Sequence, residues 1–139
     1  MKRLLLCIVM IALFAITSLA QKADYTKYDI IAQTNDVTIV VKDNDYRMVV
    51  GPLIKPKTIF LLGYSKEQAA QRLQQLLEQV DNKNYSKKNR QVSFCGADLR
   101  LTVADSKAEN VMYDIIREDN NVKFKMNKSD ILGFVDKLH

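Results

Sequence analysis

His139 is the only histidine in this 139-residue chain and stands at its last position, and the two cysteines, Cys7 and Cys95, lie far apart. That inventory limits the chemistry. A general base poised near neutral pH is most often a histidine held within a site, and a terminal one reads as a frayed end. Two cysteines and one histidine cannot fill a four-ligand zinc site. Asp43-Asn44-Asp45 sets two carboxylates two residues apart, as calcium loops do. It lacks the turn glycine and the closing bidentate glutamate of such loops, so a hairpin turn explains it better. Gly51, Gly63, Gly96 and Gly133 stand singly, which leaves no glycine-rich phosphate loop. No Ser-His-Asp or Cys-His constellation with a central histidine can be assembled. The expectation is a protein with no catalytic residues, no cofactor and no metal.

Binding chemistry is better represented. Lys83, Lys87, Lys88 and Arg90, with Tyr85 among them, combine cations with an aromatic ring, which suits phosphate pairing plus stacking on a polyanion. The same run is a polar stretch without apolar periodicity, and a solvated linker over 81–90 accounts for it more simply. An exported chain also meets little nucleic acid, so the linker reading leads and polyanion binding stands as the alternative.

Export is read from the first twenty residues. Lys2 and Arg3 precede an unbroken apolar run from Leu4 to Ile16, and Ser18-Leu19-Ala20 supplies small residues where a signal peptidase reads. Residues 1–20 are therefore expected to be a cleaved signal peptide, with the product periplasmic or secreted. The apolar run falls short of the roughly 20 residues that span a bilayer, so no stable membrane anchor is expected after cleavage. What remains, 21–139, is one domain's worth of chain. It carries 19 basic and 16 acidic residues, a weak excess far from the footprint of a dedicated nucleic-acid binder. Its one cysteine, Cys95, can form no intrachain bridge. It is either a small residue at a strand end or a bridge between two chains.

The elements that must position these residues follow from an internal echo. A shift of 62 residues, without a gap, lays Ile30–Leu77 on Val92–His139 with apolar over apolar at no fewer than fifteen pairs, among them Ile39/Leu101, Leu53/Ile115, Leu62/Phe124 and Leu73/Val135. Only seven of the 48 pairs are identical, so two unlike units of similar topology remain an alternative to duplication. In the first copy, 28–33, 37–42, 47–50 and 58–64 alternate as strands between the turn groups Thr34-Asn35-Asp36, Asp43-Asn44-Asp45 and Gly51-Pro52. Ser65 then caps a helix, with Gln68 reaching back, and Ala69, Ala70, Leu73, Leu76, Leu77 and Val80 form its apolar stripe. The second copy reads as strands over 91–95, 99–103, 109–117 and 122–126, with a turn at Gly96-Ala97-Asp98, and a helix capped by Asn127. The fold class expected is α+β, with tandem β-β-β-β-α repeats over 28–80 and 90–139 packed as one domain.

Outward residues separate the copies. On the fourth strand Phe60, Leu62 and Tyr64 match Val122, Phe124 and Met126 as the core face. The opposite face reads Ile59, Leu61 and Gly63 against Asn121, Lys123 and Lys125, and Val40 stands against Thr102. The first sheet is thus apolar on both sides, and its second side needs a cover: the other copy, the loop carrying Leu53 and Ile54, a second chain or a ligand. Val40, Leu53, Ile54, Ile59 and Leu61 are the candidate interaction face, for another protein or a self-dimer.

Two such units in tandem resemble, in element order, the Pur-alpha and Whirly families, whose paired units bind single-stranded nucleic acid. Small exported bacterial repeat proteins that inhibit or sequester other proteins are similar in address and build. The functional expectation is a small exported, non-catalytic binding or protein-interaction domain. Polyanion or single-strand binding and inhibition of a secreted or periplasmic enzyme are the alternatives.

Overall fold

A computed structural model describes residues 24–81, 90–105 and 111–139. The expected signal peptide, Cys7 and most of the basic linker lie outside them. Four strands, β1 (Asp29–Gln33), β2 (Val37–Lys42), β3 (Asp45–Val50) and β4 (Thr58–Gly63), form an antiparallel meander followed by helix α1 (Lys66–Asp81). A second meander, β5 (Arg90–Phe94), β6 (Ala97–Asp105), β7 (Met112–Arg117) and β8 (Val122–Asn127), leads into helix α2 (Lys128–Leu138). The chain is α+β, with two antiparallel four-stranded sheets.

The helices start where the side chains dictate. Ser65 Oγ accepts the Gln68 N–H at 3.1 Å, and Gln68 Oε1 accepts the Tyr64 N–H at 2.9 Å. Gly63, at φ 152, makes room for that amide, since a Cβ there would lie 2.5 Å from Gln68 Oε1. At α2, Asn127 Oδ1 accepts the Asp130 N–H at 2.7 Å while Asp130 Oδ2 accepts the Asn127 N–H at 3.0 Å, a reciprocal capping box.

One apolar core joins both sheets and both helices. Met48, Phe60 and Leu62 of the first sheet meet Leu99, Ile115, Phe124 and Met126 of the second, with Leu73 and Leu76 of α1 and Ile131 and Val135 of α2. The Phe60 ring centroid lies 5.3 Å from that of Phe94 and 6.1 Å from that of Phe124. Each fully buried large apolar side chain contributes roughly 1.5–3 kcal/mol. A single four-stranded sheet with one helix would leave its share of this surface wet.

Polar contacts guard the sheet edges, which would otherwise offer unpaired backbone groups to other chains. The Ile59 carbonyl of β4 accepts Arg117 Nη1–H at 2.8 Å, and the Lys125 N–H of β8 donates to Asp36 Oδ2 at 3.0 Å. The Ser93 carbonyl of β5 accepts Gln79 Nε2–H at 3.1 Å, and α2 packs on β1. Tyr113 Oη donates to the Val80 carbonyl at 2.9 Å, tying the second sheet to the end of α1.

The ungapped echo holds only in part. One row of paired residues crosses the first sheet as Ala32, Ile39, Met48 and Phe60, and the matching core row crosses the second as Leu101, Ile115 and Phe124. Ile39 and Leu101 keep the spacing of 62, as do Ser65 and Asn127, but Met48 and Ile115 stand 67 apart and Phe60 and Phe124 stand 64 apart. Leu53 and Ile115 are therefore not counterparts. The cause is loop chemistry. Asp43 and Asn44, both at positive φ, make a two-residue turn that brings β3 back early, and the chain spends the difference on the 51–57 loop. In the second half the tight turn comes one hairpin sooner, at Cys95 and Gly96, so Ala97 and Asp98 belong to β6 rather than to the turn. Tyr64 is also corrected: β4 ends at Gly63, and Tyr64 is 65% exposed rather than core.

Candidate functional site

The outer face of the first sheet is built on two rows, Ile30–Val40–Arg47–Leu61 and Gln33–Thr38–Val49–Ile59. Apolar side chains in the middle of such a face need a cover, and the segment before β1 supplies part of it. Asp24 Oδ1 accepts both the N–H and the O–H of Thr26, which holds the Asp24 carboxyl below its ordinary pKa, and the Tyr28 N–H donates to the Tyr25 carbonyl at 3.1 Å. The resulting turn places the Tyr25 ring on Val40 and Val49, with Tyr28, Leu53 and Ile59 packed around them. The two tyrosine rings lie 4.8 Å apart and tilted, and the Tyr25 N–H donates to the Leu53 carbonyl at 2.7 Å.

Arg47 pins this strap. Its Nη1–H donates to Tyr25 Oη at 2.9 Å, while Nε and Nη2 form a fork on the Asp45 carboxylate at 2.9 and 3.0 Å. Those hydrogen bonds to Asp45 hold the guanidinium protonated, its pKa raised further above its ordinary value. All three guanidinium nitrogens are in use, so the group positions rather than reacts. Lys42 Nζ stands 5.8 Å from the Tyr28 ring centroid, and burial pushes the Tyr28 phenol up.

The candidate face is thus divided. Val40 is fully buried under Tyr25 and cannot be a contact residue, which corrects the reading from sequence. Leu53 and Ile59 are half-buried in the same small cluster. Ile54 at 68% exposure and Leu61 at 37% remain open, and Ile30, at 54%, joins them. Sequence reasoning missed Ile30, Tyr25 and Tyr28. The signal for the strap was present as two tyrosines three residues apart in an otherwise polar stretch. The outer face of the second sheet carries Arg100, Thr102, Asp114, Ile116, Lys123 and Lys125, largely polar as expected.

Of the basic run, Lys83, Tyr85, Lys87 and Lys88 lie outside the described residues, and Arg90 is the first residue of β5. Cys95 is a free, half-buried thiol at the first position of the β5–β6 turn, with φ 51. Burial pushes its pKa up, against the opposing pull of Arg72 and Arg117. His139 is exposed at the C-cap of α2, where its N–H donates to the Asp136 carbonyl. Among the described residues no three His, Cys, Asp or Glu side chains group as metal ligands, and no helix is long and apolar enough to cross a membrane. No family model, curated protein or solved structure matches this chain.

Proposed function

We propose that this chain is an exported, non-catalytic domain that acts by binding another protein, and that its two β-β-β-β-α halves are copies of one unit. The supporting observation is the inequality of the two outer faces. The first sheet keeps Ile30 and Leu61 exposed at the two ends of one row, beside a strap of tyrosines, while Lys123 and Lys125 occupy the fourth strand of the second. Exposed apolar residues around a packed aromatic center suit a partner interface, whose core is depleted of charge and enriched in tyrosine. The redundant fit of Arg47 to Asp45 and Tyr25 makes that surface rigid before any partner arrives, which lowers the ordering cost of association.

A photo-crosslinking benzophenone side chain placed at Leu61, and separately at Lys123, tests the assignment in the native cell envelope. Discrete protein adducts from position 61 and none from position 123 are expected. Their masses report a second copy or another protein. Equal labelling from both positions, or none from position 61, would refute the reading.

A further inference from the structure

Between β3 and β4 the chain runs Gly51, Pro52, Leu53, Ile54, Lys55, Pro56, Lys57, with no aspartate or glutamate. Backbone hydrogen bonds hold this loop at three points. The Gly51 N–H donates to the Asp36 carbonyl at 2.9 Å, the Lys57 N–H donates to the Val50 carbonyl at 2.8 Å, and the Leu53 carbonyl accepts the Tyr25 N–H at 2.7 Å. Pro52 and Pro56 each fix a further φ angle. The frame splits the two apolar neighbors at its center. Leu53 packs on the cluster of Tyr25, Val40 and Val49, whereas Ile54 is 68% exposed, the most open large apolar side chain among the described residues.

Cations border that isoleucine. Lys55 and Lys57 are both exposed, and neither is ion-paired among the described residues. Lys123 of β8, exposed and likewise without an ion pair there, lines one shallow depression together with Pro52, Leu53 and Lys57. Asp36 shares the depression, and its Oδ2 accepts the Lys125 N–H. Asp24 of the strap keeps its carboxylate on Thr26. Three ammonium groups against these two carboxylates leave the surroundings of the loop positive.

The core of a protein interface is depleted of lysine. The surface of an anionic bilayer takes both features: an apolar side chain passes beneath the headgroups while lysine stems lie along the boundary and their ammonium groups stay with the lipid charges. The entry point of the chain agrees. Tyr25 is bonded to Leu53, so the chain enters the described fold beside Ile54, and in the sequence the apolar run Leu4–Ile16 stands a few residues upstream. A chain still joined to that run has this loop next to its tether.

We propose that the 51–57 loop docks on a bilayer of anionic phospholipid, with Ile54 inserted below the headgroups and Lys55, Lys57 and Lys123 on their phosphates. One apolar side chain and three cations make a weak, reversible and salt-sensitive attachment.

The chain contains no tryptophan, so Ile54→Trp installs a single reporter in the chain from residue 21 onward, which holds every described element. With vesicles of equal parts phosphatidylglycerol and phosphatidylcholine in low salt, its emission should shift to the blue. No shift is expected with phosphatidylcholine alone, nor from Leu61→Trp with either vesicle. The unsubstituted chain should float with the anionic vesicles and be released in about 0.5 M salt, where the screening length is about 4 Å. Ile54→Ser should bind at least about tenfold more weakly, and Lys55→Gln and Lys57→Gln about fivefold each. Leu61→Gln should bind as the native chain does, so this loop and the first-sheet face can fail separately. No flotation, equal binding to both vesicles, a blue shift from position 61, or undiminished binding by Ile54→Ser, the mark of a purely ionic polyanion contact, would each overturn the assignment.

Discussion

Replacing Arg117 by methionine keeps most of the side-chain volume and deletes the charge that bridges the two sheets. In the native protein the guanidinium donates to Thr58 Oγ1 at 3.0 Å and to the Ile59 carbonyl at 2.8 Å, pairs with Asp119 at 2.8 Å and lies over Phe60. Asp119 is mostly solvated, so that pair contributes at most about 1 kcal/mol. The two hydrogen bonds are partly buried and charge-assisted, worth roughly 1.5–3 kcal/mol each in favorable cases. The ring contact adds about 0.5–1 kcal/mol. Methionine recovers some of the apolar packing on Phe60, and Thr58 keeps Asn120 as a donor at 3.0 Å, so the net loss should be about 3 kcal/mol, at the upper end of single substitutions. With a urea slope of about 1.5 kcal/mol/M, the unfolding midpoint falls by about 2 M. The transition should stay single for both far-ultraviolet dichroism and tyrosine fluorescence, because the two halves share one core. A cycle combining Arg117→Met with Thr58→Val should give a coupling of about 1 kcal/mol. A midpoint change below about 0.5 M, or no coupling to Thr58, would refute the claim that this contact joins the halves.

Two further outcomes concern single residues. Gly133 lies in the middle of α2 with open space where a Cβ would project, so Gly133→Ala should raise stability by about 0.5–1 kcal/mol, measured by the same urea titration. Burial raises the Cys95 thiol above its ordinary value of 9.0, so the folded state holds the proton more tightly than the unfolded chain. Its contribution to stability is complete below that value and is lost as pH rises through the folded pKa. Alkylation of native Cys95 should therefore stay slower than that of the unfolded chain up to about pH 9, and Cys95→Ser should remove part of the alkaline loss of stability.

How much was legible from the residues varies by element. β2 runs over 37–42, the β-branched run between two turn groups, and Ser65 and Asn127 cap the helices as their side chains require, because strand propensity, turns and caps are local properties. The alignment of β3 with β7 was not legible. An ungapped shift of apolar residues tolerates slips in a strand, and only the positive φ of Asp43, Asn44 and Cys95 fixes where each hairpin turns. The candidate face was half legible. Leu61 and Ile54 are exposed, but Val40 lies under Tyr25, a cover drawn from a segment whose role depends on where it folds.

By itself the sequence determined the order of elements and the apolar faces they carry, since each depends on residue type and near neighbors. The tertiary structure decided which apolar face is core and which is covered by Tyr25. It also decided that Arg117 bridges the two sheets, lying over Phe60 and donating to Thr58 and the Ile59 carbonyl. Those facts join residues dozens of positions apart, and period and propensity carry no information about contacts made across that distance.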